Sequence, residues 1–249
     1  MRRAAASVAM VLALSACGGN TAPEPRGGPS TSVEPPAPTP SPERPCYRYT
    51  LIGEVRGRSA AAMERPGRPR VLIARFPRVN AQGSTQVFPL LDETYAAGTT
   101  WYRALLPIRP NGSTGWIAAD DLALRRSDYR LRIDLSRFRL RVYRLCEEVA
   151  VYPIGVGTTD TPTPRGTFYL NSLLRPPERG TVYGDYAYGL SAHSGVIRDW
   201  EGGGIVGLHG TNDPSSVGRR VSHGCIRMRN EDIRALVAVL PLGTLITIR

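Results

Sequence analysis

The stretch DYRLRIDLSRFRLRV, Asp128 to Val142, sets the fold class. Tyr129, Leu131, Ile133 and Leu135 alternate with Arg130, Arg132 and Asp134, and Phe138, Leu140 and Val142 alternate with Arg137, Arg139 and Arg141. A period of two belongs to strands with one face in a core and one in water. The phase flips at Ser136-Arg137, which predicts two antiparallel strands joined by a tight turn or bulge. Downstream, Val149–Gly155, Gly166–Leu170 and Ile205–Leu208 read as further strands, and Thr244–Ile248 as a closing one. One helix is expected near the end. Asn230 is placed to cap it, Glu231 and Asp232 suit its positive N-terminus, and Ile233, Leu236, Val237 and Leu240 share a face before Pro241-Leu242-Gly243 stops it. Upstream, Tyr47–Gly53, Val71–Phe76 and Thr100–Leu106 are β-branched or aromatic runs, and Asn111-Gly112 is a hairpin signal of the type I′ kind. The chain is therefore expected to be mainly β.

The full chain of 249 residues has ordinary globular usage, 41% hydrophobic and 21% charged, which excludes collagen-like, wholly disordered and multi-span membrane classes. The formal charge is +11, and every one of the 32 cations is Arg. These residues are spread without a basic block or an interleaved aromatic run, so nucleic acid is not an expected partner. The first residues look like an export signal. Arg2 and Arg3 precede a short apolar run from Ala4 to Leu14, too short to span a bilayer, and then LSAC ends at Cys17. Removal of Arg2 and Arg3 would lower the charge from +11 to +9. From Gly18 to Pro45, nine of 28 residues are Pro, so no core can form, and an extended tether of up to about 85 Å is expected.

The chemistry gathers in HGTNDPSSVGRRVSHGCIRM, His209 to Met228. The chain has three His and four Cys, and His209, His223 and Cys225 fall together here. A thiol needs a nearby imidazole or aligned amides to become a good acyl nucleophile. Gly224 beside Cys225 lets backbone N–H groups of residues 223–225 approach a substrate carbonyl as an oxyanion hole. Three other readings compete. A zinc site from His209, His223 and Cys225 lacks the usual paired ligand spacing. A papain-like site has its Cys before its His, the reverse of this order. A buried Cys among core histidines leaves the surrounding Ser222, His223, Gly224 and His209 unexplained.

SHGCIRM preceded by HGT resembles the signature of the L,D-transpeptidase catalytic domain family of bacterial cell-wall enzymes. The resemblance extends to VGTTDTPTPRGTFYL (Val156–Leu170) and YGLSAHS (Tyr188–Ser194) and covers about Tyr129 to Arg249. It implies a β-sandwich catalytic domain with one prominent helix, without cofactor or metal. It implies that Cys225 is the nucleophile, His209 its base, Gly210 the carbonyl that orients the imidazole, and His223 and Gly224 the oxyanion segment. Ser222 and Arg227 match positions that shape and charge the site, and Tyr183, Tyr186 and Tyr188 lie where the family has a flap; strand packing is the alternative for these tyrosines. His193 has no catalytic counterpart. The implied substrates are peptidoglycan stem peptides, joined through their third residues by way of a Cys thioester, and carbapenems are implied inhibitors. A carboxypeptidase that passes the acyl group to water, and a wall-binding lipoprotein without activity, are the alternatives.

Two weaker resemblances complete the layout. LSAC is similar to the bacterial lipobox, which implies lipidation at Cys17 and anchoring to the outer face of the cytoplasmic membrane. WYRALLPIRPNGSTGWI resembles the closing hairpin of bacterial SH3-like barrels, in which Trp101 and Trp116 either contact wall polymer or fill the core. The expected organisation is a signal and lipobox at 1–17, a Pro-rich linker at 18–45, an SH3-like β unit at 46–125 and the catalytic domain at 126–249. Cys46 and Cys146 remain as a candidate disulfide in an exported chain. Oligomeric state is not legible.

Overall fold

The computed structural model describes residues 49–67, 71–178, 180–198 and 203–249. The signal, Cys17, the linker and Cys46 lie outside the described residues. Two sheets account for the architecture, and both fall within one compact unit. The first contains β1 (Thr50–Val55), β2 (Ser59–Met63), β3 (Leu72–Pro77), β4 (Val87–Ala96), β5 (Thr99–Leu105), β6 (Thr114–Ala118) and β7 (Leu122–Ser127). Its strands pair antiparallel in the order β3-β2-β6-β5-β4-β1-β7. Val55, Phe76, Phe88, Ile117 and Leu122 fill its core.

The second sheet begins where the alternating stretch does. β8 (Tyr129–Asp134) and β9 (Arg139–Arg144) pair antiparallel, with Leu131, Ile133, Leu140 and Val142 buried. The phase flip is a turn held by Asp134, whose Oδ1 accepts from Ser136 N at 3.0 Å, Ser136 Oγ at 2.6 Å and Arg137 N at 3.0 Å. Then follow β10 (Glu147–Pro153), β11 (Val156–Gly157), β12 (Gly166–Leu174), β13 (Ala187–His193), β14 (Ile205–His209), β15 (Arg220–Ser222), β16 (Ile226–Arg227), α1 (Asn230–Val237) and β17 (Leu245–Ile248). The sheet order is β10-β9-β8-β17-β12-β13-β14-β16, while β11 and β15 form a separate parallel pair. Ile233 and Leu236 of α1 enter the same core as Phe168, Leu208, Ile226 and Met228. The fold is mainly β with a single α-helix among the described residues, as the sequence predicts.

The sheets are joined by a small shared core of Ile52, Val87, Leu105 and Tyr169, and by polar clasps. Arg125 Nη2 donates to Leu242 O at 2.6 Å, and Asn80 Nδ2 to Asn171 O at 3.1 Å. Two local expectations are corrected here. Asn111-Gly112 is not a two-residue type I′ turn: β5 and β6 are joined by a longer loop, and of this pair only Gly112 has positive φ. Asn111 instead exchanges two bonds with the His193 backbone, at 2.8 and 2.9 Å. Asn230 does not cap α1. Arg229 occupies the cap position without a side-chain bond, and the Asn230 amide turns toward the Gly210–Thr211 loop.

Candidate active site

His209 ends β14, and Cys225 immediately precedes β16. These strands lie side by side in parallel, Leu208 opposite Ile226 and His209 opposite Arg227. That register brings the thiol back over Gly207. The Gly207 N–H donates to Cys225 Sγ at 3.3 Å. A Cβ at Gly207 would meet His209 Cδ2 at 3.3 Å and Cys225 Sγ at 3.6 Å, so the imidazole and the thiol share the space over this glycine. A methyl at 207 would press on the edge of the imidazole and touch the thiol.

The imidazole is buried, and its Nδ1 lies 2.6 Å from Gly210 O. A carbonyl can only accept, so Nδ1 carries the proton and Nε2 keeps its lone pair. Burial pushes the His209 pKa down to about 4, the Arg227 charge adds to that, and the Gly210 carbonyl opposes it. Burial raises the Cys225 thiol above its ordinary value, while the Gly207 amide and the Arg227 charge draw it back. Near neutral pH the resting pair is thus a thiol beside a neutral imidazole. Arg227 is half-buried, and its Nε has no hydrogen-bond partner among the described residues.

The loop before the thiol is tightly held. Gly224 has φ of +113°, a conformation that other residues rarely adopt. Its carbonyl accepts from Thr163 Oγ1 at 2.9 Å, and that hydroxyl in turn accepts from Gly157 N at 2.9 Å. Ser222 O accepts from Thr158 N and from Thr161 Oγ1, both at 3.1 Å. Thr158, Thr161 and Thr163 are site residues that sequence analysis did not single out; the signal for them is four threonines, Thr158, Thr159, Thr161 and Thr163, along one short loop.

The remaining predicted residues divide. Tyr183 is exposed and meets the His209 ring edge-on, with ring centroids 5.1 Å apart. His223 has an exposed side chain. Ser222 is buried, with its hydroxyl donating to Cys225 O at 2.5 Å and accepting from Gly224 N at 3.2 Å. It braces the loop from within, and the Gly224 amide is engaged. The Cys225 amide has no partner among the described residues. Tyr188 is fully buried in β13, its hydroxyl donating to Leu240 O at 3.0 Å, so it packs the core and lines no groove. Tyr186 is partly buried against the same core. Cys146 is disulfide-bonded and Cys225 is free; Cys46, expected as the partner of Cys146, lies outside the described residues. Among the described residues, no three His, Cys, Asp or Glu side chains gather as a metal site.

The family model of the L,D-transpeptidase catalytic domain, YkuD, matches residues 128–248, which contain all of these groups. A Bacillus licheniformis protein named L,D-transpeptidase YkuD is 36% identical over 165 residues, covering 64% of this chain and 92% of that protein. The chain belongs to the L,D-transpeptidase family. A Bacillus subtilis protein of the same name is 36% identical over 120 residues, 48% of this chain and 65% of its own length. A solved L,D-transpeptidase from Mycobacterium smegmatis aligns over 65% of this chain and 99% of its own, at 16% identity and a TM-score of 0.40. This chain is an enzyme of the L,D-transpeptidase class, which cross-links peptidoglycan.

Proposed function

We propose that the enzyme works through a thioester on Cys225. The observation that carries this is that Cys225 Sγ and the His209 imidazole both border the space over Gly207, with Gly210 O fixing the ring. Because the resting pair is uncharged, His209 Nε2 takes the thiol proton as sulfur attacks the carbonyl of the third stem residue. The Cys225 amide, with the His223 segment, faces the developing oxyanion. The protonated imidazole then gives its proton to the leaving amine of the terminal residue, and a thioester remains. An amine of a neighbouring stem attacks it, loses a proton to His209, and frees the thiol. Arg227, a half-buried cation whose charge acts on both members of the pair, suits a stem carboxylate.

The rest of the chain fits this setting. Cys17 carries the lipid, residues 18–45 form the tether, and the first sheet, β1 to β7, serves as an SH3-like unit between membrane and wall. Cys46 pairs with Cys146, which pins the tether's end to the catalytic domain. The test is intact-protein mass spectrometry of the full chain with imipenem and with a tetrapeptide stem. Wild type is expected to give one adduct and a cross-linked dimer lacking one terminal residue. Cys225→Ala is expected to give neither. An adduct on the Ala variant would sink the assignment, and tripeptide alone at high acceptor concentration would make the enzyme a carboxypeptidase.

A further inference from the structure

We infer that Asn230 is a positioning residue for the catalytic base, setting the tautomer of His209 through a single peptide plane. The inference rests on His209 acting as the base. Asn230 opens α1, yet its side chain leaves the helix end and reaches into the loop after β14. Its Oδ1 accepts from Thr211 N and from Asp185 N, both at 3.2 Å, and its Nδ2 donates to Thr211 O at 3.2 Å. The Thr211 N–H and the Gly210 carbonyl belong to the same planar, trans peptide unit, so they point in opposite directions. Holding the N–H on Asn230 therefore aims the carbonyl away from Asn230, and it is this carbonyl that His209 Nδ1 meets at 2.6 Å. Two glycines make room for the device. A Cβ on Gly184 or on Gly210 would collide with Asn230 Oδ1.

The same amide governs a second neighbour of the ring. Asp185 follows Gly184, which has φ of +64°, and Tyr183, whose ring meets His209 edge-on. Arg234, one turn further along α1, pairs with Asp185 at 2.8 Å, so the helix holds this segment by two side chains. Asn230 thus ties the carbonyl on one side of the imidazole and the tyrosine segment on the other to one rigid element. An asparagine suits this better than a cap residue would, since the task needs an acceptor for two amides and a donor for one carbonyl.

The experiment reads the tautomer directly. In full-length protein carrying Cys225→Ala, the His209 ring is observed by 15N NMR with Asn230 intact, with Asn230→Ala and with Asn230→Asp. The expected result is Nδ1–H with Asn230 intact, loss of that tautomer with Ala, and its retention with Asp, which still accepts from both amides. In protein with Cys225 intact, Asn230→Ala should slow imipenem acylation at least tenfold and Asn230→Asp less than threefold. Retention of Nδ1–H in the Ala variant would overturn the inference even if the protein were less stable. If the Ala variant does not fold, a tautomer change in the Asp variant would overturn it equally. His209→Gln separates the two readings. Acylation that survives that change removes His209 as base, whereas acylation lost there with the tautomer unmoved by Asn230→Ala removes only the role of Asn230.

Discussion

Acid should destabilise this enzyme through His209 by a predictable amount. Burial and Arg227 hold the imidazole at about 4, against an ordinary 6.5. Above pH 6.5 the ring is neutral in folded and unfolded chains alike, and this residue contributes no pH dependence. Between 6.5 and about 4 the unfolded chain takes up a proton that the folded chain refuses, so stability falls as the pH falls. At 1.36 kcal/mol per pKa unit, the gap corresponds to about 3 kcal/mol lost across that window, followed by a plateau below it. For a unit of this size, that is roughly 6–12 °C in the unfolding midpoint. The assay is thermal or urea unfolding from pH 7.5 to 3.5 of wild type and His209→Gln. Carboxylates and His193, whose pKa burial and Arg109 also lower, titrate in both proteins and largely cancel in the difference. A difference curve that is flat, or that falls with rising pH, would refute the buried neutral imidazole. Acylation of Cys225 should hold its rate down to about pH 5, and an acid limb centred at 6.5 would refute the same point from the activity side.

Gly207→Ala should cut imipenem acylation at least tenfold while the protein stays folded, because the new methyl would sit 3.3 Å from His209 Cδ2 and 3.6 Å from Cys225 Sγ; unchanged acylation would mean that the two groups do not share that space. Thr163→Val should destabilise by about 2–3 kcal/mol, since Gly157 N and Gly224 O each lose their bond to a buried hydroxyl. Thr163→Ser should restore most of that in the same denaturant titration.

The strands that carry the site were legible because one-sided burial writes a period of two into the sequence, as in β8 and β9. Tyr188 was misread for the opposite reason. Ala187, Tyr188 and Leu190 to Ala192 of β13 are all buried, so no alternation marks which side chains face a groove. Turns failed where residue type and backbone disagree. Ala97-Gly98 and Leu145-Cys146 make the two-residue hairpin turns with positive φ at both positions, but Ala, Leu and Cys carry no turn signal. Asn111 and Asn230 failed together. Each side chain had a good local use, a turn or a cap, but Asn111 is committed to backbone 82 residues away and Asn230 to backbone 19 and 45 residues away, which no local pattern records. Cys225 and His209 were legible as a pair because their residue types are rare in the chain and fall close together. That Ser222 would brace the loop and Arg227 would act on both members of the pair depended on the parallel register of β14 and β16, which periodicity does not encode.

The N-terminal sheet also bears on strand β14. β14 carries Gly207 and His209, so the geometry of the pair is only as fixed as this one short strand. At its far end, Arg109 on the loop between β5 and β6 donates to Ser194 O at 2.8 Å, Gly203 O at 3.2 Å and Ile197 O at 3.3 Å, and Asn111 clasps the His193 backbone. These bonds hold the two described ends of the connection into β14 against the first sheet. At the near end, Asn230 holds the Gly210–Thr211 peptide. The strand is therefore anchored once by each half of the molecule, with the thiol and imidazole bordering Gly207 between the anchors. A catalytic pair whose protons must move at the moment of attack depends on that fixity, because neither group is charged in the resting state to hold the other in place.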